Sequence, residues 1–478
     1  MKKIILFIDN FIIYGLGGII SRIIPFIMIP IVTRLMPNTR YFGICDLSNT
    51  LVDFSCAIAI MGMYDALCRL FFEKEDLQYK RKVCSTALVF TCCTSFVIFF
   101  MMCFFSDVIA KCFFNDKEYA YIVYISAMST LVGSTNSIIS VPIRMRNKRL
   151  VFLLANSIGP IISYSIAIPL LLRGFYTIAL PLAGVISCIS IEIAFAILNR
   201  NWFEIATFDF DLLKQLLMIA VPLLPNALFY WLFNSCDRIM ITNLIGIGAA
   251  GIYAVGSKLG HASQLIYIAF GGGWQYFAFS TMKEENQVKS NSLVFEYLGA
   301  ISFVVSAFIC AWSFELFKFL FTKDYLSGYV IAPYLFLAPL LLMLFQVAAN
   351  QFLVIKKTWP NMFVLSVGAV LNIFLNYLLI PIMGIEGAAI ATLLGYVATD
   401  IVLVLVLLRI KMIIMTYRFI IASLSSIVYF VVWRLFVSTN VFAGNAMAVA
   451  FLILMIFLYR EELGMVIELI KKNRESSN

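Results

Sequence analysis

The chain has 478 residues, of which 62% are hydrophobic and 13% charged, with a mean hydropathy of +0.97 and a net charge of +9. Soluble domains carry about 25% charged residues, so this composition excludes a soluble enzyme or binding module and describes an integral membrane protein. The eleven cysteines form no CxxC pair, and a single His leaves no zinc or metal framework.

Helices that cross the hydrocarbon need about 20 apolar residues. Fourteen such runs are predicted: 10–33, 43–67, 83–107, 118–142, 150–172, 175–198, 215–245, 250–281, 293–321, 328–355, 360–383, 385–408, 415–437 and 441–460. The apolar run that follows Met1-Lys2-Lys3 continues to Val32, past any small-residue cleavage site, and reads as an uncleaved first span. With the N-terminus inside, cytoplasmic segments hold 24 of the 35 Lys and Arg, external loops hold 8, and Arg22, Arg238 and Lys258 lie within spans. This alternation gives an N-in/C-in orientation. The basic loop Arg144–Arg149 reads as one of its anchors, with specific lipid recognition as the minor alternative.

The first half repeats in the second. Thr33-Arg34-Leu35 followed by Gly43-Ile44 matches Thr242-Asn243-Leu244 followed by Gly251-Ile252, at offsets of 209 and 208 residues. In this register Asp53 corresponds to His261, while Arg22 falls on Trp231 and Arg238 on Ile29, so the cations are asymmetric. The predicted organisation is an N-terminal six-helix bundle (1–199), a cytoplasmic linker (200–214), a C-terminal six-helix bundle (215–409) and an extra helix pair with a basic tail (410–478). Parallel repeats of this kind bind substrate near the midplane between them. Pro25 and Pro30, then Pro222 and Pro225, mark bends in the first helix of each half, either as hinges or as ordinary membrane-helix prolines.

Charged side chains inside a bilayer cost several kcal/mol or more and normally face a cavity or a partner. On span 7, Asn234, Arg238 and Thr242 share a face at i, i+4, i+8, beside Asp237. Arg238 reads either as a phosphate contact or as the charge partner of Asp237 or another acid. Arg22 lies too deep in span 1 to reach the interface. Lys258 on span 8 either lines a cavity or snorkels, and His261 is either a proton carrier or a hydrogen-bonded structural group. Asp53 can hold a proton or pair with a cation, and Asp65 with Arg69 at i, i+4 reads as a gate or an interfacial pair. Glu192 and Asp400 are left as structural. Gly271-Gly272-Gly273 has no strand before it and no Lys-Ser/Thr after it, which excludes a nucleotide loop.

The order of several motifs resembles the polysaccharide-unit flippases, the Wzx-type exporters of O-antigen and capsule repeats, within the superfamily of multidrug-extrusion and lipid II flippases. These motifs are Asn10–Gly15, Tyr41–Ile44, Cys236-Asp237-Arg238-Ile239-Met240-Ile241, Gly251–Val255 with Lys258-Leu259, Gly273–Ser280, Lys356-Lys357-Thr358, Leu371–Asn376 and Gly384–Thr392. The resemblance implies an all-α membrane fold of two six-helix bundles plus a helix pair in a MATE-like arrangement. It also implies translocation of polyprenyl-diphosphate-linked glycans from the cytoplasmic leaflet of a bacterial cytoplasmic membrane. Partners would be the lipid-linked oligosaccharide, membrane lipids, a polysaccharide polymerase and a chain-length regulator, with a fourteen-helix monomer sufficient and no nucleic acid. Under this reading Arg22, Arg238, Lys258 and Asn234 engage the diphosphate and sugars, because Arg can hold phosphate oxygens in bidentate fashion. Asp53, Asp237 and His261 balance charge or exchange H+ or Na+, with no other cofactor. Two rivals are weighed. A multidrug or cation antiporter should have more deep acids than the three cations leave room for. A glycan polymerase or ligase should have a larger external loop.

Overall fold

The structure is a computed structural model that describes residues 24–146, 148–280, 285–355, 359–462 and 464. Every regular element among these residues is helical. Eleven helices are long and apolar enough to cross a membrane, or twelve when Phe210–Leu223 and Ala227–Leu244, bent by 43°, count as one span. Helix is found within the described part of each of the fourteen expected positions. The first is represented only by the short apolar helix α1 (Ile24–Leu35). The eighth is split into α12 (Ile247–Gly260), a 3₁₀ turn at His261–Ser263 and α13 (Gln264–Ser280). These two account for the difference between fourteen and twelve.

Two compact units are present, the first comprising the described residues of Met1–Val255 together with Ala369–Ala391. It holds α1 to α11: α2 (Thr39–Ile60), α3 (Met63–Phe71), α4 (Leu77–Phe104), α5 (Ser106–Phe114), α6 (Ala120–Ile139), α7 (Val141–Met145), α8 (Arg149–Leu172), α9 (Ala179–Leu198), α10 (Phe210–Ala220) and α11 (Leu224–Leu244). It also takes the start of α12, the end of α16 (Trp359–Met383) and the start of α17 (Ile385–Arg409). The boundary therefore differs from the one expected at residues 199–215. Close packing explains part of the difference. Gly43 of α2 and Gly251 of α12, the two glycines aligned by the repeat, lie against each other, and a Cβ on Gly251 would stand 2.0 Å from the Thr39 carbonyl oxygen. Only bare backbone fits this crossing.

The expected second span ends early. Met61 (φ 51°) and Gly62 (φ 74°) adopt left-handed conformations after Ile60, and α3 departs as a separate short helix. Glycine takes that conformation without strain, and a Cβ at Gly62 would stand 2.5 Å from the Ala220 carbonyl oxygen. The expected linker is not free chain either. Trp202 is buried with Met63, Leu67, Val83 and Leu216, while the Glu204 and Asp209 amides donate to Ser85 Oγ (2.9 Å) and Thr86 Oγ1 (3.2 Å). Asp209 then caps α10, accepting from the amides of Asp211 and Leu212. Between α10 and α11, Pro222 and Pro225 sit at the 43° bend, where the missing amides break the helical ladder.

The second unit, Gly256–Gly368 with Thr392–Asn478, is built around α14 (Gln287–Leu320) and α15 (Ile331–Val354). Of the apolar window on the α15 span, 89% is buried within the protein, which makes it the unit's central helix. Around α14 pack α18 (Tyr417–Val432) and α19 (Val441–Leu458), fastened by Tyr429 Oη donating to the Ala307 carbonyl (2.9 Å) and Thr416 Oγ1 donating to Glu296 Oε1 (2.5 Å). The C-terminal pair thus packs against α14 within this unit.

Candidate functional site

The buried charges of the first unit converge where α2 meets α11. Along α2, residues 46, 50 and 54 follow helical spacing and share a face. They meet α11 in reverse order. Asp46 pairs with Arg238, while the Thr50 carbonyl accepts from Trp231 Nε1 (3.2 Å) and Phe54 lies 4.5 Å from the Trp231 ring. Two helices crossing antiparallel with this register place one deep carboxylate opposite one deep guanidinium.

Arg238 Nε donates to Asp46 Oδ2 at 2.7 Å, and its Nη1 lies 3.4 Å from Asp237 Oδ1. The same Nη1 donates to the carbonyl of Asn234, one turn back on α11. Tyr253, fully buried on α12, donates its hydroxyl to the other Asp237 oxygen, and its ring lies 5.9 Å from the guanidinium carbon. Asp46 and Asp237 are both buried. A buried ion pair is sustained only when geometry and further hydrogen bonds repay the desolvation of both groups. Two carboxylates, one phenol and a helix carbonyl supply those bonds here.

The network extends to α16. Cys236 donates to Asn372 Oδ1 (3.4 Å), which also accepts from Asn376 Nδ2 (3.3 Å), and both asparagines are completely buried. On α11 itself, Thr242 Oγ1 donates to the Arg238 carbonyl (2.9 Å) and Asn234 Nδ2 to the Tyr230 carbonyl (2.8 Å). The i, i+4, i+8 relationship is therefore real, but its hydrogen bonds run along the helix.

Of the sequence-derived candidates, Asn234, Asp237 and Arg238 come together, and Asp46 and Tyr253 join them. Of the two readings of Arg238, the charge partner describes its geometry. Its guanidinium faces the Asp46 and Asp237 carboxylates. Asp53 follows Asp46 by seven residues, two turns along the same face, and is exposed. Lys258 is half-buried near the end of α12, and His261, also half-buried, begins the 3₁₀ turn that follows. Asp65 and Arg69 are exposed on α3 and make no ion pair with each other. Arg22 lies outside the described residues. Among the described residues no group of three His, Cys, Asp or Glu side chains could hold a metal ion.

Sequence reasoning missed Asp46, Tyr253, Asn372 and Asn376. The signal for Asp46 was available, since it interrupts the same apolar helix as Asp53. The two asparagines stood within a motif, four residues apart, but carried no charge to mark them. With Asp46 and Asp237 this deep in the fold, the argument that acids are too few for a cation exporter no longer holds.

Residues 7–283 match the family model described as "Polysaccharide biosynthesis protein", which is more than half of the chain. The chain belongs to this family. No curated protein matches it. Among solved structures it is similar to "Lipid II flippase MurJ, inward closed conformation", with a TM-score of 0.72 and 16% identity over 95% of this chain and 100% of that one. It is also similar to "Crystal structure of MATE in the straight conformation", with a TM-score of 0.60 and 14% identity over 85% and 95%. A third is the "Outward-facing conformation of a multidrug resistance MATE family transporter of the MOP superfamily", with a TM-score of 0.61 and 14% identity over 85% and 95%. The fold is thus that of the MurJ and MATE transporters, and the protein is a multi-pass membrane protein of polysaccharide biosynthesis.

Proposed function

We propose that the protein flips a polyprenyl-diphosphate-linked oligosaccharide repeat unit from the cytoplasmic to the outer leaflet of a bacterial cytoplasmic membrane. The observation that carries this reading is the polysaccharide biosynthesis family match over residues 7–283. The likeness to a lipid II flippase supports the same reading.

In this proposal transport proceeds by alternating access, in keeping with the inward-facing and outward-facing conformations of MATE family transporters. The negative diphosphate is attracted by Arg22 and Lys258. Arg238, held by Asp46 and Asp237, fixes α2 against α11. Asp53 and His261 are assigned the coupling ion, and the assembled glycan passes to a polymerase and chain-length regulator.

Mass spectrometry of lipid extracts from a deletion strain, read beside its surface glycan, tests the proposal. A flippase predicts complete repeats accumulating on polyprenyl diphosphate while surface glycan disappears. Surface chains halted at one repeat would identify a polymerase instead. Normal lipids and normal glycan in a strain with no second exporter of this family would overturn the reading. The diphosphate assignment is abandoned if Arg22→Ala and Lys258→Ala, at normal protein amounts, both leave export at the wild-type level.

A further inference from the structure

A cavity of about 430 Å³ opens in the first unit, far in sequence from the α2–α11 charges, where the 72–76 loop, the end of α7 and the 199–209 connection meet. Its depth is set by the membrane-spanning helices. Leu77, Lys80 and Arg81 occupy the first turn and a half of the α4 span, and Arg146 directly follows the span that ends at Met145. The end of a spanning helix stands at the level of lipid headgroups, where basic side chains direct their charge to the surface.

The lining is basic and aromatic. Lys80 is answered by Glu75 at 3.0 Å, the one acid in the wall. Arg81 and Arg146 remain. Neither guanidinium makes a hydrogen bond or an ion pair among the described residues, and Arg81 Nε is buried without any acceptor. Arg146 lies 5.4 Å over the Trp202 ring, which stacks on Phe71 at 5.6 Å. A flat guanidinium held on an aromatic face keeps its donor edge free for a planar or tetrahedral oxyanion. The rim is apolar instead: Phe72 and Leu77 are 58% and 48% exposed, as suits side chains that meet acyl chains beside the headgroup.

We propose that this cavity binds a phosphate group, held by Arg81 and Arg146, and that its source is the headgroup of an anionic membrane lipid. With the N-terminus inside, as the positive-inside count leads one to expect, the cavity faces the cytoplasmic leaflet. The site lies apart from the charges assigned to transport and stands whether or not the flippase reading does.

The full-length protein, purified in detergent, is titrated by native mass spectrometry with phosphatidylglycerol, with phosphatidylcholine, and with sodium pyrophosphate as a soluble phosphate. The wild type is expected to bind phosphatidylglycerol in preference to phosphatidylcholine. That preference should fall roughly thirtyfold in Arg81→Gln/Arg146→Gln, given the contribution of each basic residue at an anionic surface. Arg146→Gln alone, at an exposed side chain, should lose part of the preference with an unchanged Tm, which separates binding from folding. Equal preference in the wild type and the double variant overturns the site. Arginine-dependent binding of pyrophosphate without arginine-dependent binding of phosphatidylglycerol overturns the lipid source.

Discussion

Arg238 on α11 and Asp46 on α2 form an ion pair at 2.7 Å across 192 residues of sequence. Because Asp237 stands on the other side of the same guanidinium, the two single deletions are not equivalent. Removing Asp46 leaves Arg238 still paired. Removing Arg238 leaves two buried carboxylates facing each other, the more costly outcome. Thermal unfolding in detergent should therefore rank Arg238→Ala below Asp46→Ala. The double variant should recover part of the loss, with a coupling of about 2 kcal/mol between the two positions. Strict additivity of the two losses would show that the pair is not an energetic unit.

Tyr253 offers a milder test of the same cluster. Its hydroxyl donates to Asp237 from a fully buried ring. Tyr253→Phe keeps the ring and its packing and removes one donor to a charged acceptor, a loss of about 1.5–3 kcal/mol. The melting temperature should fall less than in Arg238→Ala, with protein amounts in the membrane maintained. A variant as unstable as Arg238→Ala would mean that the hydroxyl holds more than Asp237.

The fold was largely legible because burying backbone in lipid forces helices, and apolar runs of the right length reveal where they lie. What escaped was local. Gly62 looked like one small residue in a continuous apolar run, and only the neighbouring Ala220 carbonyl shows why the chain turns there. The α2–α11 cluster was half legible. Arg238 and Asp237 announced themselves as charges in an apolar helix, whereas their partner Asp46 is fixed by the crossing of two helices, which no local pattern records. The unit boundary depended on tertiary packing in the same way. Internal similarity suggested equal halves, while the Gly43–Gly251 approach ties the start of α12 to α2.

That approach makes a contrast between two glycines. Gly251→Ala would drive a methyl group to within 2.0 Å of the Thr39 carbonyl oxygen, backbone that cannot rotate away. Overpacking of this kind costs about 1–3 kcal/mol or more. Gly184, inside α9, has nothing within 4 Å of the added carbon. Gly184→Ala should be neutral or stabilising by about 1 kcal/mol through helix propensity alone. Paired thermal melts read the difference. Equal melting temperatures for the two variants would contradict the tight α2–α12 crossing.

The connection between α9 and α10 gives the last prediction. A solvated linker would be cut readily by protease, but residues 199–209 are fastened at several points. Asn199 Nδ2 donates to the Ile139 carbonyl at 2.7 Å, Trp202 stacks on Phe71, and the Glu204 amide donates to Ser85. Trp202→Ala removes the central anchor and leaves a cavity beside Met63 and Leu216, at a cost of about 3–5 kcal/mol. Limited proteolysis of the wild type should spare this segment. The variant should be cleaved within it many times faster. Rapid cleavage of 199–209 in the wild type would show that the segment is undocked in solution.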